Sequence, residues 1–229
     1  ASLADVFDNE VDPRWRSDLF DLIDQTPNLD WLLLTKRIGN AKRMLEDVAA
    51  RQFDLERLQK PSARDNVWLG ATICNQDEAD RDIPKLLCTP ARIHFLSMEP
   101  LLGPVTLPEV FLKRLHFNGR DYDYPDRAGM IDWVIVGGES GPGARPMHPD
   151  WARSLREQCA AAGVPFLFKQ WGEWLPVEPN GSAILRCGTT PEREPAFRLT
   201  HGHYFTKVGK RAAGRLLDGR THDSFPEVL

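Results

Sequence analysis

Ile131 to Gly143, IDWVIVGGESGPG, restricts the fold of this chain more than any other stretch. Trp133 to Val136 is apolar and β-branched, with no alternation of polar and apolar residues. That pattern predicts a strand buried on both faces, as in a parallel sheet covered by helices. The run stops at Gly137-Gly138, continues through Glu139 and Ser140, and ends in Gly141-Pro142-Gly143. Glycine permits backbone angles and close approaches that other side chains forbid. The chain therefore leaves a buried strand and presents a carboxylate and a hydroxyl on a tight turn. Pro149-Asp150 opens a helix, which completes one β-turn-α unit. In such units ligands sit at the carboxyl ends of the strands. The plainer alternative leaves the glycines making the turn and Glu139 solvated.

The chain has 229 residues, enough for one large α/β domain with a substantial core. A net charge of -4 and a pI near 5.9 give no general nucleic-acid footprint. No apolar run approaches the ~18 residues that a membrane span needs, and no signal peptide is visible. Cys74, Cys88, Cys159 and Cys187 are widely separated and form no CxxC or CxxxCxxC motif. Reduced cysteines and a cytoplasmic location are expected.

Ser2 to Phe7 reads as the end of a strand. Asp12-Pro13 opens a helix, with Asp as N-cap and Pro at the first helical position. Trp15, Leu19, Leu22 and Ile23 are expected to face its core. Trp31 to Leu34 is a second buried-strand run, ending in Thr35-Lys36-Arg37, and Ala41, Met44, Leu45 and Val48 mark a helix after it. A short helix near Leu55 and Leu58 is expected. A third strand spans Asn66 to Ile73, ending near Thr72. Asn75 and Glu78 have the spacing of a capping box, and Pro84 predicts a break in the helix that follows. A fourth strand, Ile93 to Leu96, precedes Ser97-Met98-Glu99-Pro100. Residues 101–129 lack a clear period and read as an excursion from the core fold. Trp133 to Val136 is the fifth strand, and its helix runs from Asp150 to about Ala162 with Gly163 as cap. Val164 to Phe168 is the sixth, ending in Lys169-Gln170-Trp171-Gly172-Glu173-Trp174. Beyond it, Pro176 to Pro195 is loop-like, Phe197 to Val208 holds one or two short strands, and Lys210 to Leu217 a short helix. Strands alternating with helices imply a parallel sheet with right-handed crossovers. A barrel, closed or partly closed, and an open doubly wound sheet both satisfy this pattern.

In either sheet the strand ends share one face. That face would collect Ser2 and Asp5, Thr35 and Lys36, Thr72, Ser97 and Glu99, Gly138, Glu139 and Ser140, then Lys169 and Gln170. Carboxylates can hold an amine, a ribose or a metal, and a lysine can hold a carboxylate or phosphate. The structural alternative is an ion-pair set such as Glu99 with Lys36. Trp171 and Trp174 either wall a planar ligand or close the end of the core. His148, just before a helix, reads as an N-terminal packing residue. His201 and His203 lack further ligands for a metal. Lys207, Lys210, Arg211, Arg215 and Arg220 form a basic segment, either a solvated face or a phosphate contact.

The segments WLLLTKR, NVWLGATICNQ, ADRDIPKLL, FLSMEPLLGPV, IDWVIVGGESGPGARPMHPDW, VPFLFKQWGEW and VGKRAAGRLLDGR resemble a family of phage and bacterial proteins of unassigned function. The likeness covers essentially the whole chain. Complete members resemble radical S-adenosylmethionine enzymes, with a partial TIM-like (β/α) barrel and a three-cysteine motif that ligates a [4Fe-4S] cluster. The resemblance thus implies an incomplete barrel over residues 1–175, with its excursion near 101–129, and a C-terminal appendage over 176–229. It places the three-cysteine motif before Ser2, in a segment this sequence does not include, so the chain as given is expected not to assemble the cluster. The four cysteines present do not replace that motif, and Cys74 stands where many members carry an acid. By resemblance the barrel mouth binds S-adenosylmethionine. Ser2 and Asp5 would lie near its amino group, and Thr72, Glu99 and Glu139 would be candidates for ribose or adenine contacts. Ser97, Gly138 and Ser140 belong to the same cofactor-binding set. Lys36, Lys169, Gln170 and Trp171 are candidates for the substrate.

Three functions follow as expectations. The first is a radical S-adenosylmethionine-like enzyme, with a nucleic acid or nucleotide as a guessed substrate. The second is a non-catalytic module that docks a nucleic acid or partner protein. The third is a metal-dependent barrel hydrolase using Asp5, Glu99 and Glu139 with a histidine, which lacks an HxH cluster among the strand ends.

Overall fold

The structure is a computed structural model that describes residues 5–52, 64–112, 115–117, 120–122, 129–177, 197–200 and 203–227. Ser2, Cys187, His201, the helix expected near Leu55 and Leu58, and most of the loop from Pro176 to Pro195 lie outside them. The fold is mixed α/β. Five strands form a parallel sheet: β1 (Trp31–Thr35), β2 (Val67–Thr72), β3 (Ile93–Met98), β6 (Trp133–Gly137) and β7 (Phe166–Gln170), in the order β1-β2-β3-β6-β7. That order follows the chain without the reversal that defines a doubly wound sheet. Helix α1 (Pro13–Gln25) precedes β1, and helices α2 (Ile38–Arg51), α3 (Gln76–Leu87) and α5 (Pro149–Ala162) come between successive strands. Among the described residues no helix is long and apolar enough to cross a membrane.

By their contacts the residues divide into two compact units, interleaved in sequence. One comprises Ala1–Thr72, Asp80–Leu96 and Glu109–Asp132, the other Ile73–Ala79, Ser97–Pro108 and Trp133–Leu229.

In the first unit β1 pairs with β2 in parallel, from Trp31 opposite Val67 to Thr35 opposite Ala71. β2 and β3 are buried along their whole lengths, including the polar His94 and Ser97 of β3. Helix α1 starts as its sequence dictates: Asp12 accepts the backbone N–H of Arg14 at 2.8 Å, and Pro13 follows. Its buried face differs from the expected one. Arg16, Phe20 and Ile23 are inside, whereas Trp15 is 69% and Leu22 46% exposed. Arg16 is admitted because its guanidinium donates to the carbonyls of Val6 and Asp8, which satisfies the buried charge and turns the helix by about one residue. Asp5 to Phe7, expected as the end of a strand, is a turn. The Asp5 carboxylate takes the N–H of Phe7 at 3.0 Å and its carbonyl takes that of Asp8, so the aspartate closes its own turn.

Pro84 does not break α3, which runs through it from Gln76 to Leu87. Proline removes one intrahelical bond, but Ile83, Leu86 and Leu87 beside it are completely buried and hold the helix on the sheet. Part of the excursion is a short helix, α4 (Glu109–Leu112), and a small antiparallel pair, β4 (Leu115–Phe117) with β5 (Arg120–Tyr122).

In the second unit β6 pairs with β7 in parallel. Helix α5 buries Ala152, Leu155 and Cys159 and is closed by Gly163 at φ 72°. His148 is its N-cap, its Nδ1 accepting the N–H of Asp150 at 3.2 Å, in keeping with a packing role. The free edge of β7 is covered by the C-terminal segment: Phe168 donates to His222 O at 2.9 Å, and Ser224 to Phe166 O at 3.3 Å. Covering an edge in this way blocks pairing with other chains. Strands β8 (Trp174–Val177), β9 (Phe197–Thr200) and β10 (His203–Lys207) form an antiparallel sheet in the order β8-β10-β9. Helix α6 is shorter than expected, Lys210–Ala213, because Gly214 leaves the helix at ψ -159°.

The packing of β2 against β3 in the first unit can be tested at Gly70. A Cβ there would fall inside the ring of Phe95. Gly70→Ala is expected to cost about 1–3 kcal/mol by overpacking, read from denaturant unfolding. The double variant Gly70→Ala/Phe95→Leu should lose less than the sum of the two single losses; strict additivity would sink this account.

Candidate functional site

The exits of β6 and β7 are locked together by backbone contact. Gly138 N–H donates to Gln170 O at 2.9 Å, and Glu173 N–H donates to Glu139 O at 2.9 Å. A Cβ on Gly138 would collide with the Trp171 carbonyl, and one on Gly172, at φ 80°, with the Glu139 carbonyl. These two glycines therefore serve chain-to-chain packing, and Gly138 reaches the site as backbone only. The exit of β3 joins the same lock, because Leu101 N–H donates to Gly137 O at 3.0 Å.

This lock brings four of the predicted residues into contact. Glu99 Oε2 accepts Lys169 Nζ at 2.7 Å, and Glu99 Oε1 accepts Gln170 Nε2 at 2.6 Å. Gln170 Nε2 also lies 3.2 Å from Ser140 Oγ. Gln170 is buried, the Glu99 side chain is 18% exposed, and the Lys169 side chain is 53% exposed. The carboxylate is thus held from one side by a fixed amide and from the other by an ammonium that solvent reaches. The partner of Glu99 is Lys169; the alternative pairing with Lys36 does not occur in the described contacts.

Glu139 sits beside this group but is engaged elsewhere. Its Oε2 accepts the Arg145 backbone N–H and Nε, each at 2.8 Å, and its Oε1 accepts Arg145 Nη2 at 2.7 Å. The Arg145 guanidinium holds the Glu139 carboxyl below its ordinary value of 4.5. The turn between them is fastened at two further points. Gly141 N–H donates to Glu173 Oε1 at 3.3 Å, and Lys207 Nζ donates to Pro142 O at 3.3 Å. Arg145, Glu173 and Lys207 were not among the sequence candidates for this cluster. The spacing Glu139–Arg145 across Gly-Pro-Gly is the signal for the first, since a tight turn brings its two ends face to face.

Other predicted residues take different parts. Trp171 is 1% exposed, its indole N–H bonds Leu216 O at 2.9 Å, and it packs edge-on against Phe168. Trp174 is likewise buried, bonded to Ala144 O at 2.7 Å. Both close the core, and neither offers a ring face to a ligand. Ser97 is buried in β3, and its carbonyl accepts Ile73 N–H at 3.1 Å. Thr72 is buried at the end of β2.

In the first unit Asp5 is saturated. It accepts Thr35 Oγ1 at 2.8 and 2.9 Å, Lys36 N–H at 2.9 Å and Phe7 N–H at 3.0 Å. Thr35 Oγ1 in turn accepts Arg37 N–H at 2.8 Å. These bonds fix the exit of β1 by neutral donors and leave the Lys36 side chain exposed.

The described cysteines form no shared ligand set. Cys74 and Cys88 are half-buried, and Cys159 is buried in α5, where burial pushes its thiol up to about 12. Among the described residues no three of His, Cys, Asp and Glu form a possible metal ligand set. The described thiols therefore do not fit a [4Fe-4S] cluster. The Glu99–Lys169 pair sets an acid and an ammonium in contact, an arrangement complementary in charge to an α-amino-acid head group.

Residues 1–226 match the family described as "Protein of unknown function (DUF5131)", and the chain belongs to that family. No curated protein and no solved structure matches it.

The Glu139–Arg145 pair yields a pH prediction. A lowered folded-state pKa means that the pair contributes fully above the ordinary value of 4.5 and fades as the pH falls through the lower folded value. Arg145→Gln should raise the Glu139 carboxyl pKa, read by NMR titration of its side-chain carbonyl carbon. An unshifted titration would remove Arg145 as the cause.

Proposed function

We propose that this family member is the cofactor-binding part of a radical S-adenosylmethionine-like enzyme, built as a partial TIM-like (β/α) barrel. The exits of β3, β6 and β7 would receive the amino-acid end of the cofactor. The observation that carries the reading is the contact of Glu99 with Lys169 and Gln170. A zwitterion can enter such a pair by exchange: its ammonium takes the place of Lys169 on Glu99, and its carboxylate takes Lys169. No net charge is stranded in the process.

Each residue then has a task. Glu99 accepts the ligand ammonium, with its second oxygen kept in position by the buried amide of Gln170. Lys169, at the exposed side, swings from Glu99 to the ligand carboxylate. Ser140 Oγ, beside the same amide, offers a further hydroxyl. Glu139 stays with Arg145 and keeps the turn closed, and the buried Trp171 backs the site against water. The chemistry such a cofactor would supply is radical generation, which would need a [4Fe-4S] cluster to reduce it. The described residues do not supply a ligand set for that cluster.

Calorimetric titration with S-adenosylmethionine and with S-adenosylhomocysteine tests the reading. It should be run on this chain and on the complete gene product reconstituted anaerobically with iron and sulfide. Glu99→Gln is expected to weaken both ligands about 10- to 100-fold, the range for one charge-assisted bond. Absence of binding in both preparations, or equal affinity for Glu99→Gln and wild type, overturns it.

A further inference from the structure

The basic segment at the end of the chain lies against the same strand exit. Val208 and Gly209 both donate their N–H groups to Glu173 O, each at 3.1 Å. On the other side, Trp171 N–H donates to Gly214 O at 3.1 Å. The turn from 208 to 214 is thus hydrogen-bonded at one end to Glu173 and at the other to Trp171. It carries Lys210 and Arg211, both exposed, and Lys207 precedes it with its ammonium on the Pro142 carbonyl. One backbone lock therefore gathers Lys169, Lys207, Lys210 and Arg211 along the rim of the β6 and β7 exits.

The counter-charges on this rim are largely spoken for. Glu99 is paired with Lys169 and Glu139 with Arg145. Glu173 remains, with one oxygen on the Gly141 N–H. Farther along, Arg215 is neutralised by Asp223, and Arg153 and Arg156 share Asp218. Lys207, Lys210 and Arg211 have no carboxylate partner among the described ion pairs. The rim therefore carries local positive charge on a chain whose net charge is -4. A merely solvated charged loop does not require this anchoring at both ends.

We infer that this rim binds the phosphate backbone of a nucleic acid and brings it to the mouth of the β6 and β7 exits. The chemistry favours backbone over base recognition. Lysine and arginine on a fixed turn neutralise phosphates. Trp171 and Trp174, which flank the turn that the basic segment rests on, are buried and offer bases no ring face to stack on. The inference does not rest on the cofactor reading: Lys207, Lys210 and Arg211, which carry it, lie outside the Glu99 contact set, and each reading would survive failure of the other.

The test measures fluorescence anisotropy of a labelled oligonucleotide, single-stranded and duplex, over a salt series. The wild-type chain is compared with the double variant Lys210→Glu/Arg211→Glu. Binding to at least one form is expected, weakening linearly in log affinity against log salt. In the variant, affinity should fall by at least about tenfold, and the salt slope for a single strand should shrink by about 1.4, which corresponds to two phosphate contacts. Both side chains are exposed, so thermal unfolding should be unchanged; if it is not, Lys210→Gln alone serves as the milder variant and should still flatten the slope. The rim variant should leave S-adenosylhomocysteine binding intact. Polyglutamate serves as a competitor. Failure to bind either oligonucleotide at low salt, an unchanged affinity in the variants, or displacement by polyglutamate as effective as by unlabelled oligonucleotide each overturns the inference.

Discussion

Two glycines without side chains make the rest of the second unit possible. The chain leaving β6 and the chain leaving β7 touch backbone to backbone, with Gly138 under the Trp171 carbonyl and Gly172 under the Glu139 carbonyl. Any Cβ at either point would drive the two turns apart. Because the turns meet there, Ser140 reaches Gln170, Glu173 reaches the N–H of Gly141, and the basic turn after β10 finds the Glu173 carbonyl to rest on. The polar cluster, the closed Gly-Pro-Gly turn and the cationic rim are consequences of one close approach. The glycines look like a ligand-binding signature in the sequence, yet their first obligation is to each other's backbone.

The ion pairs that fill this region contribute little to stability by themselves. Exposed or half-exposed pairs are worth about 0–1 kcal/mol, because water competes for both charges. Lys169 is half-exposed and Arg145 more so. What such pairs offer is exchange. A ligand bearing the same two charges can replace either partner at small net cost, which a carboxylate locked by buried backbone donors cannot allow. The geometry of Glu99 suits replacement better than that of Glu139. Glu99 meets its cation through one oxygen, while Arg145 engages both oxygens of Glu139 and adds its own backbone N–H.

The sequence was informative where burial is continuous and less so where a side chain chooses among partners. All five sheet strands are visible as largely apolar runs, but β1 is not buried on both faces as expected: Leu32 and Leu34 are exposed, so only Leu33 and Thr35 face the interior. The caps at Asp12 and Gly163 are readable because they rest on local bonds within a few residues, whereas the N-cap role of His148 was not read from the sequence. Helix α1 shows the limit of periodicity. Its apolar residues Trp15, Leu19 and Leu22 define a face, but Arg16 is the residue that goes inside, since two carbonyls outside the helix satisfy it. Pro84 shows another limit: the lost hydrogen bond is a local quantity, and the burial of three neighbouring apolar residues outweighs it. The cluster itself was legible as a set of strand-end residues, but its pairings were not. Glu99 had two lysines on offer in the sequence, and the partner it takes, Lys169, is set by the β3 and β7 exits. Arg145 escaped notice because its role depends on the turn returning to Glu139.

The contrast between Asp5 and Glu99 decides which acid can serve a ligand. Each was predicted at a strand end, and each has its oxygens filled. Asp5 is filled by a hydroxyl and two backbone N–H groups that also hold the turn and the start of the residues after β1. Displacing any of them leaves a donor of the fold unsatisfied, at about 1–3 kcal/mol for a buried group. Glu99 is filled by two side-chain tips, and the one at the exposed side ends a flexible four-carbon stem that water can receive as readily as the carboxylate. Displacing Lys169 therefore breaks nothing in the backbone. A site reader that counts acids at strand ends would rank the two equally. A reading by the identity of the donors separates them, giving Asp5 to the architecture and leaving Glu99 as the carboxylate free to change partners.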